Sequence, residues 1–350
     1  MSSETDESTN DGFEVAKFIQ PRRPRIFRER INFDRLPDEV TARFRLTEQH
    51  IAELTNQLRP FMEHPTSRNY ALTTEQQIVV ALRYLATGSN FTVIADSHGI
   101  HKSTVSRCLH RFVEVVNQNF GHLIGFPQGQ QIRNSVEMFS EVAGLPAVMG
   151  AIDGTLILIK RPTENEQQFV DRNGNHSVNV MAVCGPQLKF YYVSANWPGS
   201  VNDSRVFRNS VLKQRLESGW RPSPLSYLLG DSGYGNCDYL LTPILLPKSI
   251  KEEKYNRAHK KTRRLIECAF GVLKQRFRCL LSRIELEPKF VCAIVKCCMS
   301  LHNLLVSEIE AVDAIATIDT DRADANIESE AESDSGQCNA SRRAEIVALF

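Results

Sequence analysis

Hydrophobic residues recur with a helical period through the first third of the chain. In TEQHIAELTNQLRPF the apolar Ile51, Leu54 and Leu58 are three or four residues apart, which is typical of the buried face of a helix. The residues TTEQ at 73–76 match a capping box and predict the start of another helix. Because no strand pattern interrupts this region, we predict an all-α module over 46–127.

The stretch SNFTVIADSHGIHKSTVSRCLHRFVEVV predicts two helices joined by a tight turn at Gly99, which is the layout of a helix-turn-helix. The second helix would carry polar and basic residues on its outer face: Lys102, Ser103, Thr104, Ser106, Arg107 and His110. Side chains of these types contact phosphates and base edges in the major groove of DNA. The alternative is a packed helical hairpin with a polar outer side, in which Ser103 serves only as a helix cap.

Beyond Ala147 the period changes from helical to alternating. VMGAIDGTLILIK, SVNVMAVCG and LKFYYVSANWPGS are rich in β-branched and aromatic residues and predict three strands. A helix is predicted in DSRVFRNSVLKQRLESG, a fourth strand in SYLLGDSGY, and two long helices in KKTRRLIECAFGVLKQRF and EPKFVCAIVKCCMSLHNLLVSEI. This order predicts an α/β layer domain over 128–307, with residues 128–145 as a connection.

Charge is distributed unevenly along the chain. The net charge is +1, but ten acids and a single base, Arg322, lie in 308–336, which favours a disordered acidic tail over 308–350. Residues 1–307 hold 39 bases and 30 acids and therefore favour a polyanionic partner. Residues 1–45 are predicted as a flexible leader, acidic at first and then rich in arginine, at Arg22, Arg23, Arg25, Arg28 and Arg30. Such an arm is typical of phosphate binding, of a nuclear import signal or of a solvated linker.

Cysteine usage and hydropathy indicate the cellular compartment in which the protein is expected. Nine cysteines occur without any CxxC pair, which favours reduced thiols over a zinc site or a disulfide frame. Cys298 and His302 lie one helical turn apart, but nothing nearby completes a tetrahedral set, so both are predicted to lie in the core. A run of about 18 apolar residues is absent, which argues against a membrane span. We expect a nuclear protein, with the cytoplasm also open.

Three carboxylates stand out by their positions. Asp153 interrupts an apolar strand, Asp231 ends one, and Glu267 is the only acid on its predicted helix. Taken singly, these acids are also explained by a strand bulge, a turn and a charge on a helix surface. Their combination is more informative. An RNase H-like sheet brings together acids from its first strand, its fourth strand and a late helix, which are the positions of these three residues. Clustered carboxylates repel one another unless cations neutralise them, and their hard oxygens suit Mg²⁺ or Mn²⁺.

Basic residues surround the third of these acids. Between Lys251 and Arg283, eleven bases accompany three acids, which fits either a solvated helix face or a passing phosphate backbone. A pair of divalent ions at the acids can activate a water and stabilise the leaving oxygen in phosphodiester hydrolysis. We therefore predict salt-sensitive binding of double-stranded DNA.

Five blocks of the chain, in their order, resemble the Harbinger (PIF) transposase family and its domesticated nucleases: GAIDGTLILIKRP, NWPGSVNDSRVF, LLGDSGY, IECAFGVLKQRFRCL and LHNLL. The stretch LRYLATGSNFTVIADSHGIHKSTVSR resembles the family's helix-turn-helix. The resemblance covers Leu72 to Leu305 and implies an RNase H-like DDE nuclease domain of the α/β class behind the helix-turn-helix. It also implies that Asp153, Asp231 and Glu267 are the catalytic triad and bind the metal.

The resemblance extends to a fourth acid. Asp203 matches a further family aspartate, which is implied to bind the metal or to orient a ligand, with helix capping as the alternative. Asn202 stands where many family members have histidine, and Gly235-Asn236 departs from the family pattern, so the surroundings of the triad differ. A separate Myb/SANT-like partner protein is also implied, and a homo-oligomer is left open.

These features predict a transposase-derived, metal-dependent endonuclease that cleaves DNA phosphodiester bonds with two metal ions. The first alternative is a domesticated DNA-binding protein of the same fold with little or no nuclease turnover. A second alternative is a two-metal phosphohydrolase of small phosphate esters. The basic leader, the helix-turn-helix and the positive charge of residues 1–307 argue against this last alternative.

Overall fold

The computed structural model of the protein describes residues 37–66, 70–306 and 341–350. The arginine-rich part of the predicted leader and the acidic stretch 308–336 lie outside the described residues. Within the described ranges, a helical module precedes an α/β unit, in agreement with the predicted fold class.

The described part of the N-terminal module consists of α1 (Pro37–Phe44), α2 (Glu48–Met62), α3 (Thr74–Thr87), α4 (Phe91–His98) and α5 (Lys102–Phe120). The predicted capping box begins α3: Thr73 Oγ1 accepts from the Gln76 N–H, and Gln76 Oε1 accepts from the Thr73 N–H. Gly99 has a φ of 64° between α4 and α5, a left-handed conformation that glycine adopts without strain. The predicted helix-turn-helix is therefore formed by α4 and α5.

Five strands form one mixed sheet in the order β3-β2-β1-β4-β5. They are β1 (Val148–Leu158), β2 (Ser177–Cys184), β3 (Phe190–Pro198), β4 (Tyr227–Leu229) and β5 (Leu240–Leu241). β1 pairs antiparallel with β2 and parallel with β4, so the strand that carries Asp153 is central. β2 is buried along its whole length, including its polar Ser177 and Asn179.

The helices of the α/β unit are α6 (Gln130–Ala143), α7 (Asp203–Arg208), α8 (Val211–Glu217), α9 (Ile250–Arg276), α10 (Pro288–Leu305) and α11 (Ser341–Ala348). Most of the connection predicted at 128–145 is the helix α6. The single helix predicted after β3 is divided in two, because Ser210 starts a second one by accepting from the Lys213 N–H. No described helix is long and apolar enough to cross a membrane.

Helix α9 begins ten residues before the predicted Lys260. Ser249 and Glu252 form a capping box there, with each side chain bonded to the other's backbone N–H. Glu267 therefore shares its helix with Glu252 and Glu253, and the expectation that it is the only acid on that helix is wrong.

Apolar clusters cover both faces of the sheet. The larger one runs without a break from the helical module, for example Phe112, to α9 residues such as Leu265 and one face of the sheet. The smaller one packs α7 and α8 against the other face, around Ile152. Asn117 on α5 also donates from Nδ2 to the Ala293 carbonyl on α10 at 3.0 Å. The helical module and the α/β unit consequently share a core.

Two helices lie in segments that composition predicted to be unstructured, α1 in the leader and α11 in the acidic tail. Phe44 of α1 and Ile346 of α11 are each buried in the main core. Lys251 on α9 donates from Nζ to the Ala348 carbonyl at 2.7 Å. Both short helices are therefore packed parts of the fold, because one buried apolar side chain anchors each to a neighbour.

Candidate active site

The centre of the sheet brings two of the predicted acids together. Ala151 of β1 pairs in parallel with Leu229 of β4, and Asp153 and Asp231 each follow two residues later. Adjacent strands lie about 4.8 Å apart, so both carboxylates reach the same end of the β1–β4 pair. Asp231 Oδ1 also accepts from the Gly233 N–H at 3.0 Å, so Asp231 both ends the strand and forms the turn.

Asp203 joins the two strand acids from the side of Gly154. Asn179 on β2 donates from Nδ2 to Asp203 Oδ1 at 2.7 Å and thereby fixes the carboxylate. A Cβ at Gly154 would stand 2.0 Å from this oxygen, so the glycine leaves the space that the carboxylate fills. The alternative capping role belongs to Asn202, whose side chain accepts from the Arg205 N–H.

Glu267 is connected to the strand acids through an arginine. Arg263 and Glu267 are four residues apart on α9 and share a face. Arg263 Nη1 donates to Asp153 Oδ2 at 2.7 Å, and its Nη2 donates to Glu267 Oε1. The Arg263 and Asp153 side chains are 21% and 17% exposed, whereas that of Glu267 is 44% exposed. One guanidinium thus acts as a cation between the first and third predicted acids.

Burial and mutual repulsion change the protonation of the aspartates. Burial raises the pKa of Asp153 from 3.8 to about 6, and the charges of Asp231 and Asp203 add to this rise. Arg263 and the Gly154 N–H, which donates to Asp153 at 2.9 Å, oppose it. Burial also raises the pKa of Asp203. The cluster thus holds more negative charge than its bridging arginine neutralises, a condition that favours a further cation.

The raised pKa of Asp153 predicts how the stability of the metal-free protein depends on pH. An acid that ionises less readily when folded stabilises the fold at low pH, and this contribution is lost as the pH rises from 3.8 through about 6. Between about pH 4.5 and 7.5 we expect the wild type to lose about 2 kcal/mol of unfolding free energy relative to Asp153→Asn. Urea denaturation of both proteins in EDTA measures this difference. If wild type and Asp153→Asn differed in unfolding free energy by the same amount at both pH values, the pKa of Asp153 would not be raised.

Two further side chains at the site have no individual signal in the sequence. The Tyr234 hydroxyl is buried near the three aspartates and has no hydrogen-bond partner within the described residues. Lys274 lies two turns beyond Glu267 on α9 and donates from Nζ to Thr155 Oγ1 on β1 at 2.7 Å. Burial lowers the pKa of Lys274. Tyr234 lies in LLGDSGY and Lys274 in IECAFGVLKQRFRCL, but only the fold places them beside β1.

The chemical types of the side chains at the site suit a divalent cation. The three aspartates offer the hard oxygens that Mg²⁺ and Mn²⁺ prefer, and the unpaired Tyr234 hydroxyl adds a buried polar group. As the described side chains stand, no three carboxylate, imidazole or thiol groups are arranged to hold an ion. Arg263 instead bonds both Asp153 and Glu267. The ligand set Asp153, Asp203, Asp231 and Glu267 stays a prediction, which requires Glu267 to exchange its bond with Arg263 for one with the ion.

The second helix of the helix-turn-helix, α5, directs its first turns outward. The predicted DNA contacts divide into exposed residues, Lys102, Ser103 and Arg107, and half-buried ones, Thr104 and Ser106. His101 caps this helix by accepting at Nδ1 from the Ser103 N–H, so Ser103 is not the cap. His110, which was also expected outside, is exposed and stacks on Phe290 of α10 with ring centroids 3.7 Å apart. The N-terminal half of α5 is the part accessible to DNA.

A change at this helix tests the predicted contacts. Lys102→Ala combined with Arg107→Ala should weaken duplex binding equally for all sequences and reduce the slope of log affinity against log salt by about 2. The reason is that each lost phosphate contact no longer releases a counterion. Fluorescence anisotropy between roughly 50 and 200 mM salt measures the slope. Arg133→Ala with Lys189→Ala, at exposed sites outside the helix-turn-helix, removes the same charge and should leave the slope unchanged.

Cys298 and His302, which were predicted to lie in the core, are confirmed there, and His259 is buried as well. Nε2 of the buried His259 donates to the Leu241 carbonyl at 3.1 Å, and Nε2 of the buried His302 donates to the Leu188 carbonyl at 2.9 Å. Cys298 is fully buried, and all the cysteines in the described residues are free thiols. None of these side chains belongs to the acidic cluster.

Comparison with known proteins identifies a family and several relatives of the chain. The family described as DDE superfamily endonuclease matches residues 152–303, and its helix-turn-helix, described as Helix-turn-helix of DDE superfamily endonuclease, matches 70–121. The chain is 33% identical over 281 residues to the Homo sapiens protein named Putative nuclease HARBI1, covering 79% of this chain and 80% of that relative. It is 32% identical over 257 residues to the Arabidopsis thaliana protein named Protein ALP1-like, covering 69% and 62% of the two chains. No solved structure matches the chain.

The matched ranges coincide with the units of the fold. Residues 70–121 contain α3, α4 and α5, and residues 152–303 contain all four predicted site acids. The relative from Homo sapiens is matched over four fifths of its length, so the likeness extends across both units. The chain therefore belongs to the DDE superfamily of endonucleases and is related to the Harbinger-derived nucleases.

Proposed function

We propose that this protein is a transposase-derived, metal-dependent endonuclease that hydrolyses phosphodiester bonds of double-stranded DNA. The supporting observation is the cluster of Asp153, Asp203 and Asp231 at the end of the β1–β4 pair, to which Arg263 joins Glu267. The helix-turn-helix in the same chain supports DNA as the substrate. The name of the relative from Homo sapiens, Putative nuclease HARBI1, supports nuclease chemistry.

The four acids would have different roles because some are held more rigidly than others. Asp153 and Asp231 are fixed by the register of two paired strands and would hold cations at a set spacing. Bound divalent ions would supply Lewis-acid polarisation of the phosphate and lower the pKa of a water. Glu267, the most exposed acid, would turn from Arg263 towards the ions. Arg263 would then be able to pair with a phosphate of the DNA.

A specific observation also favours the second candidate, a DNA-binding protein without turnover. Arg263 already bonds Asp153 and Glu267, so both acids have a cationic partner without any metal. In a chain of this kind, Asp153 and Glu267 would serve only as partners of Arg263. It would bind duplex DNA through α5 and the basic residues of α9.

Plasmid nicking separates the candidates. Purified full-length protein would be incubated with supercoiled plasmid in Mg²⁺, in Mn²⁺ and in EDTA, and we expect nicked circles only with metal. The same samples would be assayed on nitrophenyl phosphate and by gel shift on duplex DNA. Gel shift without nicking in either metal would favour the DNA-binding protein, whereas ester hydrolysis without nicking would favour the small-ester phosphohydrolase.

Two further properties belong to this proposal. We propose that the protein works in the nucleus, where its substrate is, with the cytoplasm as a second location. A Myb/SANT-like partner would add sequence recognition to the contacts made by α5. Repeating the nicking assay with such a partner on a plasmid carrying its binding site would show cleavage directed to that site.

A further inference from the structure

A tight turn precedes β2 in the loop that follows β1. The Gly174 N–H donates to the Asp171 carbonyl at 2.9 Å, which closes a β-turn with Arg172 at its second position. Gly174 has a φ of 75°, a conformation that glycine adopts without strain. The Asp171 N–H also donates to the Asn175 carbonyl at 2.8 Å. The turn therefore presents Arg172 near its tip, where this side chain is exposed.

The carboxylate of Asp171 fixes this turn to β2. Its Oδ1 accepts from the N–H groups of Asn173 and Asn175 at 2.9 and 3.0 Å, and its Oδ2 accepts from Ser177 Oγ at 2.8 Å. The Asp171 residue is only 5% exposed, so these bonds are shielded from water. The backbone that carries Arg172 is consequently held in one position relative to the sheet.

The anchor of the turn is a close neighbour of Asp203. Ser177 and Asn179 are two residues apart on β2, so their side chains point to the same face of the sheet about 7 Å apart. Ser177 donates to Asp171, and Asn179 donates to Asp203. The charge of Arg172 also acts on Asp203, because burial raises the pKa of this acid and Arg172 lowers it. Arg172 therefore lies beside the acidic cluster.

Two arginines thus flank the cluster from opposite faces of the sheet. Helix α9 covers one face and supplies Arg263 to Asp153. Met181, two residues beyond Asn179 on β2, packs with α7 and α8 on the other face, so Arg172 approaches the cluster from that side. A DNA strand with its reacting phosphate at the acids would direct its neighbouring phosphates towards the two arginines.

The guanidinium of Arg172 has its donors available. Within the described residues it makes no hydrogen bond and no ion pair, although Asp203 is near. Arg263, in contrast, already bonds both Asp153 and Glu267. A guanidinium binds a phosphate through two parallel N–H···O bonds, which fixes both its position and its orientation. An unpaired arginine on a fixed turn beside carboxylates is suited to an anion that the carboxylates alone would repel.

We propose that Arg172 binds a phosphate of the substrate strand next to the one that is hydrolysed, on the Asp203 side of the cluster. This inference rests on the proposed function, because it takes DNA as the substrate and the acidic cluster as the reaction site. Arg172 offsets the repulsion between the strand and Asp203 and sets the register of the strand. The alternative is that Arg172 serves only to balance the charge of Asp203 within the folded protein.

A binding measurement tests the contact independently of nicking. In Ca²⁺, which also binds carboxylate oxygens, Arg172→Ala should reduce the slope of log duplex affinity against log salt by about 1, because one phosphate contact is lost. Arg172→Lys keeps the charge and should keep the slope. Arg133→Ala removes the same charge from an exposed site on α6, and Asn173→Ala changes an exposed side chain on the same turn. Both controls should bind with the wild-type slope.

A neutral phosphate analogue locates the contact on the strand. Duplexes would carry a single methylphosphonate, which lacks the phosphate charge, on either side of the bond that the wild type cleaves. We expect one of them to be nicked at least about tenfold more slowly by the wild type, and Arg172→Ala to nick it no more slowly than the natural duplex. Two changes to one interaction are not additive. Equal slowing of both proteins by each analogue would overturn the proposal.

The outcomes separate this proposal from the nuclease assignment. A reduced slope for Arg172→Ala, beside a wild type that never nicks, would refute only the proposed function. A wild type that nicks, beside an Arg172→Ala variant with the wild-type slope and rate, would overturn only the contact. If Arg172→Ala lowered the free energy of unfolding and left DNA binding and nicking unchanged, Arg172 would be a partner of Asp203 alone. Equal losses in Asn173→Ala would assign the effect to the turn and also overturn the proposal.

Discussion

Asp231→Asn is expected to reduce metal-dependent nicking by at least roughly a thousandfold, while folding and duplex binding are kept. A lost ligand removes several kcal/mol of transition-state stabilisation, and about 1.4 kcal/mol corresponds to a factor of ten. Asparagine has the size of aspartate, and its Oδ1 can still accept from the Gly233 N–H, so the turn persists. Only the negative charge at the end of β4 is lost. Nicking under single-turnover conditions, beside gel shift and circular dichroism, measures the two effects separately.

The matched control for this change is Asp238→Asn. Asp238 is an exposed aspartate seven residues further along the same loop, outside the acidic cluster. We expect the Asp238→Asn variant to nick plasmid at the wild-type rate. Equal activity of Asp231→Asn and wild type would remove Asp231 from the set of metal ligands. Equal loss in both variants would indicate a general effect of charge.

The sequence predicted the strands that carry the acids because those strands are long and patterned. β1, β2 and β3 span eight or more residues each, so alternation and β-branched residues are readable. β4 and β5 have three and two residues, too few for a period, and β5 was not predicted at all. The sequence predicts only a connection where α6 forms, because no side chain caps the start of this helix, although Ile132 and Phe139 lie on its buried face.

The candidate site, too, could be predicted from the sequence only in part. Asp153, Asp203 and Asp231 could be selected because each stands at a marked position on or after a strand. The sequence does not show which basic side chain pairs with these acids. The rotation of α9 about its own axis decides that Arg263, and not Arg264, contacts Asp153. Rotation is fixed by long-range packing that no local pattern encodes.

Gly154→Ala tests whether Asp203 belongs to the catalytic cluster. The new Cβ would stand 2.0 Å from Asp203 Oδ1 and 2.2 Å from its Cγ, so the carboxylate has to move away from Asn179. Overpacking of this kind costs about 1–3 kcal/mol, and displacing a catalytic group by about 1 Å reduces the rate roughly a hundredfold. We therefore expect a modest fall in melting temperature and about a hundredfold loss of nicking, close to the loss in Asp203→Asn.

Gly271→Ala is the corresponding control on α9. Outside its own helix backbone, no described residue lies within 4 Å of a Cβ at this exposed position, so the same chemical change should stabilise the helix by about 1 kcal/mol and leave nicking unchanged. If Gly154→Ala lost stability but nicked at the wild-type rate, Asp203 would be a structural neighbour of Gly154 and not a ligand. If Gly154→Ala and Asp203→Asn lost activity together and the double variant lost no more, both changes would act through the same carboxylate, because two changes to one interaction are not additive.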